Sequence, residues 1–343
     1  MKKILSSIFI VSFMFFIVSV CQATTVDEEY KAVPNELNLA IKNMREKPID
    51  TQISLCFQLK ETYKNNQNAI ARIENRLGII FFEQKDYEKA RQHLEIAYAI
   101  DPTLVRTNIF LGRIEAARKS YDTALEYYKV GIDNETESAV LSDLNYFAGR
   151  ACFEKKDYTN GIQFFSQAIN YGGQAQEYEM RGRCFAKLKD FSSAIRDYNK
   201  AIDIKPNFSL AYFNRGIAYV RIEKFNDAIQ DFKNALELNG EMHRVHFHLG
   251  YAYSKLNNHS VAVEEYTKYL YYYPNDAEAY YNRGLDCYHL ADYQTAIENF
   301  SQTILLNTKH GKAYKMRGMS YRKIGAETQA LQDFNRAKQL GVN

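Results

Sequence analysis

Tryptophan is absent from the 343 residues, and proline (5), cysteine (5) and glycine (16) are scarce. So little proline and glycine excludes a loop-rich all-β protein, whose turns consume both. An excess of charge of one sign is also missing. The 44 basic and 41 acidic residues leave a formal charge of +3, too little to hold nucleic acid by bulk charge. Enzyme motifs are missing too: there is no glycine-rich phosphate loop, no His-Glu-x-x-His, no Cys-x-x-Cys and no calcium loop. What the chain has is 46% hydrophobic residues with 27 Tyr and 21 Phe, enough for a large core, which excludes a disordered or collagen-like chain.

One long apolar run exists, Ile4 to Val20, interrupted only by serines and preceded by Lys2 and Lys3. Cys21-Gln22-Ala23 follows with small residues at the −3 and −1 positions of a cleavage site. This is the layout of a Sec signal peptide over residues 1–23, so the mature protein is expected in the periplasm or outside the cell. The run of 17 residues also reaches the lower limit for a membrane span, so an uncleaved anchor is the alternative. Lipid attachment at Cys21 is disfavoured because Val20 is not small. Cleavage after Ala23 leaves 320 residues with 42 basic and 41 acidic side chains.

The rest is periodic. Glycine recurs at Gly78, Gly112, Gly149, Gly182, Gly216, Gly250, Gly284 and Gly318, at intervals of 34, 37, 33, 34, 34, 34 and 34. Twelve residues after each stands a second small residue, Ala or, once, Gly161. Sixteen after each stands Leu94, Tyr128, Phe165, Tyr198, Phe232, Tyr266, Phe300 or Phe334. Pro102, Pro206 and Pro274 close three of the units. Two helical stripes emerge per unit, positions 4, 7, 8 and 11 and positions 20, 21, 24, 27 and 28. Glycine inside a helix costs about 0.5–1 kcal/mol against alanine. Its return in every unit points to helices that must approach closely there. A single helix pair cannot bury its own apolar face, so the pairs must stack.

One unit reads Tyr212, Arg215, Gly216, Tyr219, Ala228, Phe232, Ala235, and this resembles the tetratricopeptide repeat. The resemblance covers residues 71–343 as eight repeats: 71–104, 105–141, 142–174, 175–208, 209–242, 243–276, 277–310 and 311–343. It implies an all-α fold, a right-handed α-α superhelix of antiparallel helix pairs. Residues 24–70 read as a preceding helical pair, a degenerate repeat or a cap, with one helix from Pro34 to about Glu46 and a second from Ile53 to Asn65. Several units depart from the pattern. The third link is lengthened around Asn134–Ala139, and Tyr269 and Thr303 replace alanine at position 27, where packing near repeats six and seven is expected to adjust. Lys338 takes an apolar position of the last unit, which suits a terminal repeat with a polar outer face.

The resemblance also implies a concave groove lined by positions 2, 5, 9, 12 and 13 of each first helix. These positions hold 13 basic and 5 acidic residues, a net of +8 against −7 for the remainder of the mature chain. Rings are interleaved among them, most densely in repeats five to seven. Buried rings and arginines anchor interfaces. The candidate binding residues are Arg183, Phe213, Arg221, Arg244, Phe247, Tyr251, Lys255, Tyr281, Tyr288 and Lys312. The expected partner is an acidic, extended or helical segment of another protein. No small-molecule substrate, nucleic acid, cofactor or metal is expected, and a membrane only through an uncleaved N-terminal segment. Asn282 and Lys312 match parts of a grip on a C-terminal carboxylate known in this family, but Phe247, Tyr251 and Met316 do not complete it.

Other features read as structural. His246 fills the aromatic position 4, and His243, His246 and His248 diverge on a helix, so no metal site is expected. Cys56, Cys152, Cys184 and Cys287 read as small core residues. Arg181, Arg215 and Arg317 at position 7 match Asp197, Asp231 and Asp333 at position 23, as ion pairs between helices. The function expected is an exported interaction scaffold. A chaperone-like binder of exported clients and a binder of an anionic glycan are the alternatives. An enzyme is disfavoured because only about 47 residues lie outside the array.

Overall fold

The computed structural model describes residues 34–342, so the expected signal segment lies outside the described residues. Among the described residues there are α-helices and no strand, as the all-α expectation requires. The chain divides between Cys184 and Phe185 into two compact units.

The first unit begins with α1 (Asn35–Met44) and α2 (Ile49–Thr62). Pro34 and Pro48 stand immediately before them, a place where proline's missing N–H costs nothing. The pairs α3 (Gln67–Glu83) with α4 (Tyr87–Ile100), α5 (Val105–Ala117) with α6 (Tyr121–Asp133), and α7 (Ser138–Glu154) with α8 (Tyr158–Tyr171) follow. Then comes α9 (Ala175–Lys187), whose last turn passes into the second unit. The first repeat helix starts at Gln67, before the unit boundary expected at residue 71, because Asn66 caps it by accepting from the Ala69 N–H at 3.0 Å. The second unit holds α10 (Phe191–Ile204), α11 (Ser209–Arg221) with α12 (Phe225–Leu238), and α13 (Val245–Lys255) with α14 (His259–Tyr272). It ends with α15 (Ala277–His289) paired to α16 (Tyr293–Leu306) and α17 (Gly311–Lys323) paired to α18 (Glu327–Gln339).

The pairing is set by glycine and a ring. A Cβ added at Gly216 would lie 2.6 Å from Cε1 of Phe232, and one at Gly284 2.8 Å from Cε1 of Phe300. The ring at position 24 thus lies directly over the glycine at position 8. Tyr128, Phe165, Phe232, Tyr266 and Phe300 are all fully buried in this way. The small residue at position 20 lies close by as well: the Ala90 backbone oxygen would be 3.1 Å from a Cβ at Gly78, and that of Ala330 3.1 Å from one at Gly318, so the two helices approach closely here.

The position 7 arginines do more than the sequence suggests. Arg215 donates through Nε and Nη2 to both carboxylate oxygens of Asp231, at 2.8 and 2.7 Å, and Arg317 grips Asp333 in the same bidentate way. Each also reaches back to the previous repeat: Arg215 to Asn199 at 2.6 Å, Arg317 to Ser301 at 3.0 Å. Arg283, with Asn299 in place of the acid, makes the equivalent bonds to Asn299 and Thr267. In the first unit Arg181 reaches Ser166. One guanidinium therefore ties three helices together.

Candidate functional site

In the first unit the inner-face cations are spent on the fold. α3 is buried without a break from Ala69 to Phe81, and Arg72 is only 8% exposed. The Arg113 guanidinium lies 4.5 Å from the Phe82 ring centroid, 5.1 Å from Phe110 and 5.4 Å from Phe147. Arg183, a candidate binding residue, lies 4.5 Å from the Phe153 centroid and is half-buried. Cations and rings here satisfy one another. The four cysteines of the described residues are buried free thiols, with Cys152 and Cys184 pushed up to about 12 by burial.

The second unit is different. A cleft of about 860 Å³ opens where the first turns of α13, α15 and α17 meet the end of α14 and the two loops that follow α14 and α16. That size falls within the range of about 300–1,000 Å³ typical of ligand sites. Of the candidate binding residues it brings together Arg244, Tyr281 and Lys312. Arg244 and Lys312 are both exposed, and among the described residues neither forms an ion pair. Arg244 sits 5.7 Å from the Tyr273 ring centroid. Tyr281 is half-buried against His310, centroids 4.7 Å apart, and Phe300, 5.8 Å apart.

The rest of the lining was not singled out as binding residues from the sequence. It includes Tyr269, Tyr272, Tyr273, Asn275, Asp276, Asn307 and His310. Most lie in loops or on a second helix, outside the groove positions. One signal was visible, because Tyr269 breaks the alanine pattern at position 27. Its hydroxyl donates to Asp276 Oδ2 at 2.7 Å, and burial and this bond push its phenol up. Asp276 Oδ1 meanwhile accepts from the Glu278 and Ala279 N–H groups and caps α15. The Asp276 carboxylate is thus occupied by the wall of the cleft. His310 caps α17 through Nδ1, which accepts from Ala313 N–H at 3.1 Å. Tyr272 stacks face to face on His243, centroids 3.5 Å apart.

The other candidates of the second unit do not line this cleft. Phe247 packs behind it against Tyr266 and Tyr269. Phe213 packs on Phe232 and His248. Tyr251 lies under Lys255, 5.3 Å from its Nζ. Tyr288 contacts Tyr293, and Arg221 and Lys255 are exposed. The three histidines take separate partners. His246 bonds Glu265 at 2.6 Å, His243 stacks on Tyr272, and His248 sits among Phe213, Phe232 and Phe247. Burial works to raise the Glu265 carboxyl, but His246 and Lys268 outweigh it and hold it below its ordinary range. Burial, aided by Arg221 and Arg244, lowers His248 to about 4.

Stacked helix pairs, with a cleft where the starts of their first helices meet the inter-repeat loops, define a helical repeat scaffold. Tetratricopeptide-repeat models match residues 58–105, 103–179, 209–242 and 243–276, and a TPR-repeat model matches 182–223. The chain belongs to the tetratricopeptide-repeat family and is a scaffold of the protein-interaction type. Over 62 residues it is 37% identical to the heat shock protein sti1 homolog of Schizosaccharomyces pombe, covering 18% of this chain and 10% of that protein. Over 170 residues it is 25% identical to Hsp70-Hsp90 organizing protein 2 of Arabidopsis thaliana, covering 48% and 27%. The chain thus spans between a tenth and about a quarter of the length of these relatives. A tetratricopeptide repeat protein from Parabacteroides merdae shares the fold, with a TM-score of 0.53 at 18% identity over 70% of this chain and 94% of that one.

Proposed function

We propose that the protein is an exported scaffold whose cleft in repeats six to eight takes an acidic, extended segment of a partner protein. The observation that carries this reading is the pairing of two exposed cations, Arg244 and Lys312, with half-exposed tyrosines around one cleft whose single exposed acid is Glu278. The groove positions of repeats five to eight hold seven basic residues and one acid, Glu278. An acidic segment would find opposite charge to steer it and rings to pack against. Export is supported by the lysine-led apolar run before residue 24.

Titration of fluorescent acidic peptides at about 50 and about 300 mM salt tests the reading. Affinity should fall steeply with salt, and Arg244→Glu should weaken binding at low salt by at least about tenfold. Binding indifferent to both salt and Arg244→Glu would end it. An anionic glycan is the second reading, favoured by the amides of Asn275, Asn282 and Asn307 in the lining. A sulfated oligosaccharide that binds alone, while acidic peptides do not, would select it.

A further inference from the structure

The two most exposed large apolar side chains among the described residues are Tyr271, 81% exposed, and Leu305, 72% exposed. They occupy the same place, position 29, in repeats six and seven. The other repeats of the second unit carry Asp203, Glu237 and Gln339 there. Single exposed apolar residues are ordinary on a protein surface. These two recur at one position of neighbouring repeats. Tyr271 adjoins Tyr272, which lines the cleft, and its ring meets that of Tyr272 edge to face at 5.0 Å. Leu305 stands two residues before Asn307, also in the lining. In these two repeats, which contribute to the cleft, the polar or acidic side chain found in the other repeats of the second unit is thus replaced by an apolar one. The change removes negative charge that would repel an acidic visitor and adds apolar area that water alone does not reward.

We propose that Tyr271 and Leu305 form an apolar lip continuous with the cleft, so that the segment it recognises is acidic and carries a bulky apolar residue beside its acids. This rests on the reading of the cleft as a site for an acidic segment. The charges of Arg244 and Lys312 set the acidic requirement, and the lip sets the second one. Specificity then comes from two chemistries that respond differently to salt. Contacts of Arg244 and Lys312 weaken as salt rises, whereas burial against Tyr271 and Leu305 does not.

The test uses the full chain and two fluorescein-labelled acidic nonapeptides that differ only at the central residue, Leu in one and Ser in the other. The Leu peptide should bind the unmodified protein about tenfold more tightly. In the double variant Tyr271→Ser, Leu305→Ser the preference should shrink below about twofold, while the salt dependence of the Ser peptide stays unchanged. Both side chains are exposed, so the variant should melt at the temperature of the parent, which shows that the fold is retained. Equal binding of the two peptides to the parent, or a preference that survives in the double variant, would overturn the lip while leaving the acidic cleft standing. Failure of both peptides to bind the parent would overturn the cleft reading and the lip with it.

Discussion

An added Cβ at Gly216 would meet the Phe232 ring at 2.6 Å, yet the ring is held in place, fully buried. Glycine at position 8 is therefore a packing requirement that outweighs its poor helix propensity. His248 shows the opposite balance, a polar ring kept where charge is unwelcome. It faces Arg221 and Arg244 and packs against Phe213, Phe232 and Phe247, and its pKa falls to about 4. The unfolded chain takes up a proton there near the ordinary value of about 6.5, while the folded one does not until about 4. Stability contributed by the neutral ring is whole above about pH 6.5 and drains away as the pH falls towards 4, by at most about 3 kcal/mol. Urea melts between pH 7 and 4 should show this loss, and His248→Phe should remove that part of it. An unchanged slope in the variant would mean that the ring is readily protonated in place.

The helix pairs owe their sharp turns to a residue in left-handed conformation at position 15 of every repeat, from Lys85 at φ 66° to Gly325 at φ 78°. In the first repeat Lys85 N–H bonds Phe82 O and Asp86 N–H bonds Phe81 O, which closes one helix. Asp86 then caps the next by accepting from Lys89 N–H. Only Gly325 among these eight turn residues is glycine, and Asn257 tolerates this backbone, so the other six carry strain of roughly 1–2 kcal/mol each. Ala291, at φ 61°, has no side-chain function to lose. Ala291→Gly should stabilise the protein by up to about 1 kcal/mol, read as a rise in the unfolding midpoint, because relief of strain exceeds the added entropy of the unfolded chain. A lower midpoint would show that the turn is not strained. These elements were legible from the spacing of glycines and rings alone, since a period of 34 fixes both helices of a pair. The turn strain was not legible, because lysine, glutamate and alanine do not announce a left-handed backbone. Nor was the backward reach of Arg215 to Asn199, which crosses from one repeat to the previous one.

Across the molecule, the same groove chemistry ends differently in the two units. Arg113 and Arg183 of the first unit are taken up by rings of the same unit, whereas Arg244 and Lys312 of the second remain exposed. Sequence positions counted all of these as groove charges, because a helical pattern shows which face a cation is on but not which ring lies against it. Arg244, Tyr281 and Lys312 were legible as candidates, while Tyr272, Asn275 and His310 come to the cleft through loops and a second helix that the groove positions do not cover. The central claim is that this cleft holds an acidic segment. Its most direct test places a photoreactive benzoylphenylalanine at position 281, or at the exposed Gln230 of α12 as a control, and irradiates each protein with a fluorescent acidic peptide. The peptide is expected to label the protein at 281, in a salt-sensitive manner, and not at 230. Labelling equal at the two positions, or none at 281 while the peptide binds, would contradict it.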